Sequence, residues 1–262
     1  VLQVGQEIIH AKSIVIASGT RPFVPDEWVD FGEHIITSDT IFEMEDLPQS
    51  IAVVGLGIIG LEIGQALSHL GVTVTGVDQL ETIAGLNDPS ASQSAIELMT
   101  RTFPVWLGHQ AKLTSEGSQI RVSAGEHSVV VDKVLAAMGR RSNVDWLSIE
   151  NAGVDLNEAG LPVFDPNTMQ CGESRVFIAG DIAALNPVLH EAADEGRIAG
   201  YNAARQNSTA FKRKTPFAIT FTSPNICTIG ASFDSLDPGT IEIGEMRLGP
   251  VGRALIMGVN RG

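Results

Sequence analysis

Basic residues are scarce in this sequence, where 17 Lys and Arg stand against 31 Asp and Glu for a net charge of −14. That balance argues against nucleic acid as a partner, because neutralising phosphates takes clustered Lys and Arg. Cysteine is scarcer still. Cys171 and Cys227 lie far apart and offer neither a disulfide framework nor a metal-ligand spacing, so both are expected to be structural thiols and no metal site is expected. No apolar run reaches the ~18 residues that span a bilayer, and nothing near Val1 resembles a secretory signal. A cytoplasmic protein with no membrane association is expected. What is present is a hydrophobic fraction of 44% against 18% charged residues, the balance of an ordinary globular chain with packed cores.

The chain opens on Val1 in strand-like sequence and stops at Gly262 just after the apolar run Ala254 to Met257, so an internal piece of a longer protein is expected. Ser13 to Ala17 is a short apolar run closed by Ser18-Gly19-Thr20, the pattern of a buried strand feeding a turn. Between Asp26 and Asp46 stand eight carboxylates and no Lys or Arg, read as a solvated connector in preference to a docking surface for a basic partner. Ile51 to Val54, a helix through Leu70 and Val72 to Val77 make a strand–helix–strand unit. Beyond it Ala91 to Thr102 predicts a helix, and Val105 to Leu113, Ile120 to Val122 and Val129 to Ala137 predict strands. Val176 to Ala179 is a further buried strand, Pro187 to Arg205 a helix, and Gln206 to Pro216 a polar, basic boundary. Short strands are expected afterwards, including Ile241 to Met246 and Ala254 to Met257.

The strongest motif is Gly55-x-Gly57-x-x-Gly60, set between a strand and a helix. Gly55 suits the tight turn, Gly57 lets backbone approach a pyrophosphate, and Gly60 lets the helix pack closely on the sheet. The helix start then offers free N–H groups and a partial positive charge to the phosphates. Asp78 ends the next strand, where a carboxylate accepts bonds from the adenosine ribose and repels a 2′-phosphate. No Arg follows in Gln79-Leu80-Glu81-Thr82-Ile83, so NAD(H) is expected over NADP(H).

With its neighbours, Val53-Val54-Gly55-Leu56-Gly57-Ile58-Ile59-Gly60-Leu61-Glu62 resembles the NAD fingerprint of the pyridine nucleotide–disulfide oxidoreductases, most closely their dihydrolipoamide dehydrogenase (dihydrolipoyl dehydrogenase) branch. Further stretches fall in that family's order. Ile16 to Pro22 resembles its A-T-G-S-x-P turn with Ser18 and Thr20 exchanged, and Ala137 to Asn143 its G-R-x-P-N turn with Ser142 for proline. Val176 to Asp181 resembles its second FAD motif, Phe221 to Gly230 the opening of its dimerisation domain, and Arg253 to Gly258 a later strand of that domain.

The resemblance implies an α/β fold of Rossmann-like, three-layer FAD- and NAD(P)-binding domains with the start of an α+β dimerisation domain. It divides the chain into a partial FAD domain (1–47), the NAD domain (48–141), a second FAD segment (142–210) and a partial dimerisation domain (211–262). It implies an oxidoreductase that passes electrons between a dithiol or disulfide, lipoamide first, and NAD(H) through FAD, working as a homodimer. Another family member, such as a transhydrogenase or mercuric reductase, or a cysteine-less NAD- or flavin-binding module, remains the alternative. Cofactor contacts are implied for Ser18, Gly19, Thr20, the loop Gly55, Leu56, Gly57, Ile58, Ile59, Gly60 and Leu61, and for Asp78 and Gly139. Glu62 is placed near the nicotinamide or as a solvated first-turn residue, and Leu113 by the adenine or simply in the core. Asp181 is given a ribitol hydroxyl of FAD, with a helix N-cap as the other reading. The helix start at Pro187, Val188, Leu189 and His190 is implied beneath the flavin, with His190 acting through its backbone. The family's redox cysteine pair, first glycine motif and His–Glu pair have no counterpart in this sequence, so no catalytic residue is assigned and the chain by itself is expected to be inactive.

Overall fold

The structure is a computed structural model and describes residues 1–237, 239–258, 260 and 262. In chain order its strands begin with β1 (Leu2–Val4), β2 (Glu7–Ile9), β3 (Ile14–Ile16), β4 (Thr20–Pro22) and β5 (Ile35–Ile36). Next come β6 (Ser50–Val54), helix α1 (Ile58–His69), β7 (Thr73–Val77), helix α2 (Pro89–Thr100) and β8 (Val105–Trp106). After these lie β9 (Lys112–Glu116), β10 (Gln119–Ala124), β11 (His127–Val131), β12 (Lys133–Ala136) and β13 (Arg140–Ser142). The last are β14 (Val176–Ile178), helix α3 (Leu189–Ala203), β15 (Phe217–Thr220), β16 (Ile226–Ile229) and helix α4 (Gly252–Met257). Two compact units result, one from Val1–Arg21 with Arg140–Pro216, the other from Pro22–Gly139 with Phe217–Gly262. No helix among the described residues is long and apolar enough to cross a membrane.

The larger unit is built on a parallel five-stranded sheet in the order β5-β12-β6-β7-β8. Side chains alternate across a strand, and the core divides accordingly. Ile51, Val53 and Leu135 face one apolar cluster with Leu61 and Leu67 of α1 and Ala95 and Met99 of α2. Ala52, Val54, Val134 and Ala136 face a second, closed by Ile120, Val122 and Val131 of the antiparallel sheet β9-β10-β11. Helices, parallel sheet and antiparallel sheet therefore make the three layers of this α/β unit. α2 starts cleanly because the Asp88 side chain accepts the Ala91 N–H at 2.8 Å, with Pro89 behind it where a missing N–H costs nothing.

The smaller unit pairs β3 with β14 in parallel and covers them with α3. Phe177, Ile178, Ile182, Ile198 and Met169 form its core. Cys171 lies there too, and burial pushes its thiol up to about 11.

Several expected elements differ. Val105 to Leu113 is two strands, because Gly108 turns at φ +76° and sends β9 into the antiparallel sheet. Val129 to Ala137 is also broken, at Asp132, whose carboxylate accepts Ser50 N, Ser50 Oγ and Gln119 Nε2 at 2.9, 2.9 and 2.8 Å. The strand expected over Arg253 to Gly258 is instead helix α4, with Leu255 N–H donating to Val251 O at 2.9 Å. The four-residue apolar run Ala254 to Met257 has no reliable period of its own, and a helix satisfies its backbone without a neighbouring strand. Ile241 to Met246 forms no strand among the described residues. The eight carboxylates from Asp26 to Asp46 are exposed, while Trp28, Ile36 and Ile41 of the same stretch are buried. Gln206 to Pro216 closes the smaller unit, with Phe211 packed on its core and Arg213 ion-paired with α3.

Candidate functional site

In the larger unit β6 ends at Val54 and the chain turns through Gly55 into α1. The three glycines of this loop answer to different constraints. Gly55 sits at φ +95°, and a side chain there would run into the Ala137 carbonyl and, at 2.8 Å, the Met138 nitrogen. Gly60 lies against the Gly55 carbonyl, with Val53 Cγ1 3.2 Å from where its Cβ would be. Packing alone demands both. Gly57 is different, since its φ is an ordinary −72° and an added Cβ would meet no described atom within 4 Å. The fold therefore gives no reason for glycine at 57. The open space there lies at the start of α1, which no side chain caps and whose first turn carries no carboxylate. A helix start of this kind suits an anion, because its first N–H groups lack intrahelical partners and its dipole favours negative charge.

Asp78 follows β7 and closes the same loop. Its Oδ2 accepts the Leu56 N–H at 2.6 Å and its Oδ1 the Leu80 N–H at 2.9 Å, with the residue 9% exposed. The structure thus brings Gly55, Leu56, Gly57, Ile58, Ile59, Gly60, Leu61 and Asp78 together. The hydrogen bond from Leu56 to Asp78 has no signal in the sequence. Glu62, one turn into α1, accepts the backbone N–H of Phe221 at 2.7 Å, and Gln65 beside it pairs with both the N–H and the carbonyl of Ser223. Glu62 thus has a backbone partner in this structure. Gly139, at φ +115°, accepts the Phe23 N–H at 3.0 Å. Leu113 is half-buried on β9 and packs against the second apolar cluster.

In the smaller unit β3 and β14 run parallel and end side by side at Ser18-Gly19-Thr20 and Gly180-Asp181. Carboxyl ends of parallel strands are where α/β sheets bind ligands. Thr20 Oγ1 lies 3.5 Å from Asp181 Oδ2, so the two motifs meet. Arg140, which the motif comparison left without a role, donates Nε to Thr20 Oγ1 at 2.8 Å and a guanidinium N–H to Thr20 O at 2.9 Å. Asn143 N–H and Nδ2 hold Gly19 O and Ser18 O at 3.1 and 2.9 Å. Arg21 pairs with Asp145 at 2.6 Å; that hydrogen bond raises the guanidinium further and lowers the carboxyl. Asp181 caps no α-helix; it opens a single 3₁₀ turn, while α3 starts later, after Val188. Pro187 lies just before α3, Leu189 and His190 begin it, and no side chain caps it. Leu189 is 86% exposed.

Two thiols are present and both are free; Cys171 is buried in the smaller unit and Cys227 exposed in the larger. The pairings of Phe221 with Glu62 and of Arg140 with Thr20 join residues remote in sequence and arise only in three dimensions.

The sequence profile of the pyridine nucleotide-disulphide oxidoreductases matches residues 2–207. Among curated relatives, mercuric reductase of Staphylococcus aureus is 31% identical over 87% of this chain and 43% of its own length. Dihydrolipoyl dehydrogenase of Chlamydia pneumoniae is 29% identical over 99% of this chain and 57% of its own. The flavoprotein disulfide reductase RclA of Escherichia coli superposes with a TM-score of 0.83 at 21% identity, over 97% of this chain and 58% of its own, a likeness of fold. The chain spans about half the length of the curated relatives it matches. Glycine loop, paired strand ends and profile match agree, and the chain belongs to the pyridine nucleotide-disulphide oxidoreductase family.

Proposed function

We propose that this chain supplies the nicotinamide-nucleotide platform and one flank of the flavin site of a disulfide oxidoreductase of the dihydrolipoyl dehydrogenase type. The observation that carries the proposal is the unobstructed space at Gly57 before the uncapped start of α1, with Asp78 at its side. A pyrophosphate there accepts from the first N–H groups of α1, and the nearby carboxylate disfavours a 2′-phosphate, so NAD(H) is the dinucleotide. Residues 48–141 are the NAD domain in this reading, with Gly55 to Leu61, Asp78, Gly139, Leu113 and Glu62 as its contacts. Residues 1–47 and 142–210 belong to the FAD domain and 211–262 to a dimerisation domain.

The donor set of the smaller unit fits a flavin nucleotide. Ser18, Gly19, Thr20 and Asp181 offer polar atoms at paired strand ends, and α3, whose start no side chain caps, brings the positive end of its dipole at Pro187, Val188, Leu189 and His190. When bound, FAD supplies the two-electron carrier between a thiol pair and nicotinamide. This chain's residues bind and orient: Asp181 accepts from a hydroxyl, and α3 places its positive end against developing negative charge. The substrate is a dithiol or disulfide, lipoamide first, in keeping with the dihydrolipoyl dehydrogenases among the relatives. Another family member of the mercuric reductase kind is the second reading, favoured by the 31% identity to mercuric reductase. Titration calorimetry of this chain with NADH and with NADPH tests the platform; equal or tighter NADPH binding would overturn it.

A further inference from the structure

We propose that Glu195, braced by Arg213, is a positioning residue that fixes the Gly180-Asp181 turn. As a statement about flavin binding this rests on the reading of Asp181 given above; as a statement about the turn it does not.

Glu195 lies in the middle of α3 with its side chain 2% exposed, an uncommon place for a carboxylate unless it is paired. Its Oε2 accepts the Gly180 N–H at 2.9 Å and its Oε1 faces an Arg213 guanidinium nitrogen at 3.2 Å. One carboxylate thus joins three separate stretches: the end of β14, the middle of α3 and the segment 211–216. Gly180 stands at φ +80°, a sparsely populated backbone state that persists where its surroundings define it. The same Arg213 also bonds Glu191 at 2.6 Å, one helical turn before Glu195, and its other terminal nitrogen lies 3.5 Å from Met169 Sδ. Lys214 and Arg197 are spent on Asp194 at 3.0 Å each.

The charges facing Glu195 are therefore Arg213 from segment 211–216 and Glu191 from its own helix, with Asp181 following Gly180 in the turn. Two buried carboxylates share one guanidinium. Burial, with the Glu191 charge adding to it, raises the Glu195 carboxyl above its ordinary range despite the Gly180 N–H and Arg213. Ionisation of Glu195 turns the bond from Gly180 into a charge-assisted one, which is the stronger kind. The hold on the turn therefore tightens as pH rises through that titration.

The test is nuclear magnetic resonance of the ¹⁵N-labelled chain as it stands, following the Gly180 amide with pH in wild type, Glu195→Gln, Glu195→Leu and Arg213→Met. The wild-type Gly180 proton is expected to move downfield in a step above the usual carboxylate range. Glu195→Gln keeps an acceptor and should abolish the step while retaining protection of the amide from exchange. Glu195→Leu should lose that protection by about tenfold or more, the scale of a lost charge-assisted hydrogen bond. Arg213→Met should shift the step further upward. A Gly180 amide indifferent to all three changes, or equal loss of protection in β10 of the other unit, would overturn the proposal. Fluorescence titration of the same variants with FAD separates the readings. Responsive Gly180 with FAD affinity unchanged in Glu195→Leu sinks the flavin role of the turn and supports the latch alone.

Discussion

Asp78 accepts the backbone N–H of Leu56 at 2.6 Å, so the carboxylate at the end of β7 holds the glycine loop that leaves β6. Its second oxygen takes the Leu80 N–H at 2.9 Å, which ties the following turn to the same point. Asp78→Ala should therefore damage two things at once. The loop loses a buried acceptor, costing about 1–3 kcal/mol of stability, and discrimination between NADH and NADPH falls. Thermal melts together with calorimetric titration of both nucleotides check this. An unchanged melt would show that the loop is set without Asp78, and retained preference for NADH would move specificity elsewhere.

The glycine loop makes a sharper prediction because its glycines differ in kind. Gly57→Val places a side chain into empty space at φ −72°, so the variant should fold with a near-native melting temperature. NADH affinity should nonetheless fall at least about tenfold, since the branched side chain keeps the phosphates from the α1 N–H groups. Gly55→Ala should do the reverse and fail in folding first, because φ +95° and the Ala137 carbonyl both oppose a Cβ. Unchanged NADH affinity in folded Gly57→Val would leave the loop as a structural turn.

Asp132 yields a pH prediction. A hydrogen bond from Gln119, with help from Ser50, holds its carboxyl below the usual 3.8 in spite of partial burial. A carboxyl lowered on folding stabilises the native state above its unfolded value, and that contribution is lost as pH falls through the folded one. Asp132→Asn should thus be less stable than wild type near neutral pH, and the gap should close progressively below pH 3.8. Denaturant unfolding of both proteins across that range measures it. A gap that stays constant would mean Asp132 acts through shape and not through charge.

How far the sequence carried is clear from particular residues. The unit from Ile51 to Asp78 was legible because its signals are local: an apolar run, three glycines at fixed spacing, a helix and a second run. The meeting of Ser18-Gly19-Thr20 with Asp181 came from motif resemblance, since nothing in the spacing of two segments so distant in sequence dictates it. The breaks at Gly108 and Asp132 are not legible because apolar residues stand on either side of each, and only the change from parallel to antiparallel partners gives them meaning. Glu195, Glu62 and Arg213 look like ordinary charges on polar helix faces or in a basic linker. Their roles arise from partners brought in by tertiary folding, which hydrophobic periodicity does not encode.

The last prediction concerns what this chain does by itself. The flavin's long pyrophosphate needs a helix start of its own, and the start of α1 is proposed for the dinucleotide. Ser18-Gly19-Thr20, Asp181 and the beginning of α3 then touch only flanks of the flavin. Electron transfer to a disulfide also requires a reactive thiol pair. Cys171 is buried with its thiol raised to about 11, so hardly any thiolate exists near neutral pH. Cys227 belongs to the other unit and has no disulfide partner among the described residues. The purified chain should therefore be colourless, and it should give no lipoamide reduction when FAD and NADH are added, while still binding NADH. Absorbance between 350 and 500 nm (roughly the range of protein-bound flavin) and an NADH-oxidation assay decide the matter. Stoichiometric yellow flavin in the purified protein, or turnover of lipoamide, would place a redox centre within these 262 residues and overturn the division of labour argued here.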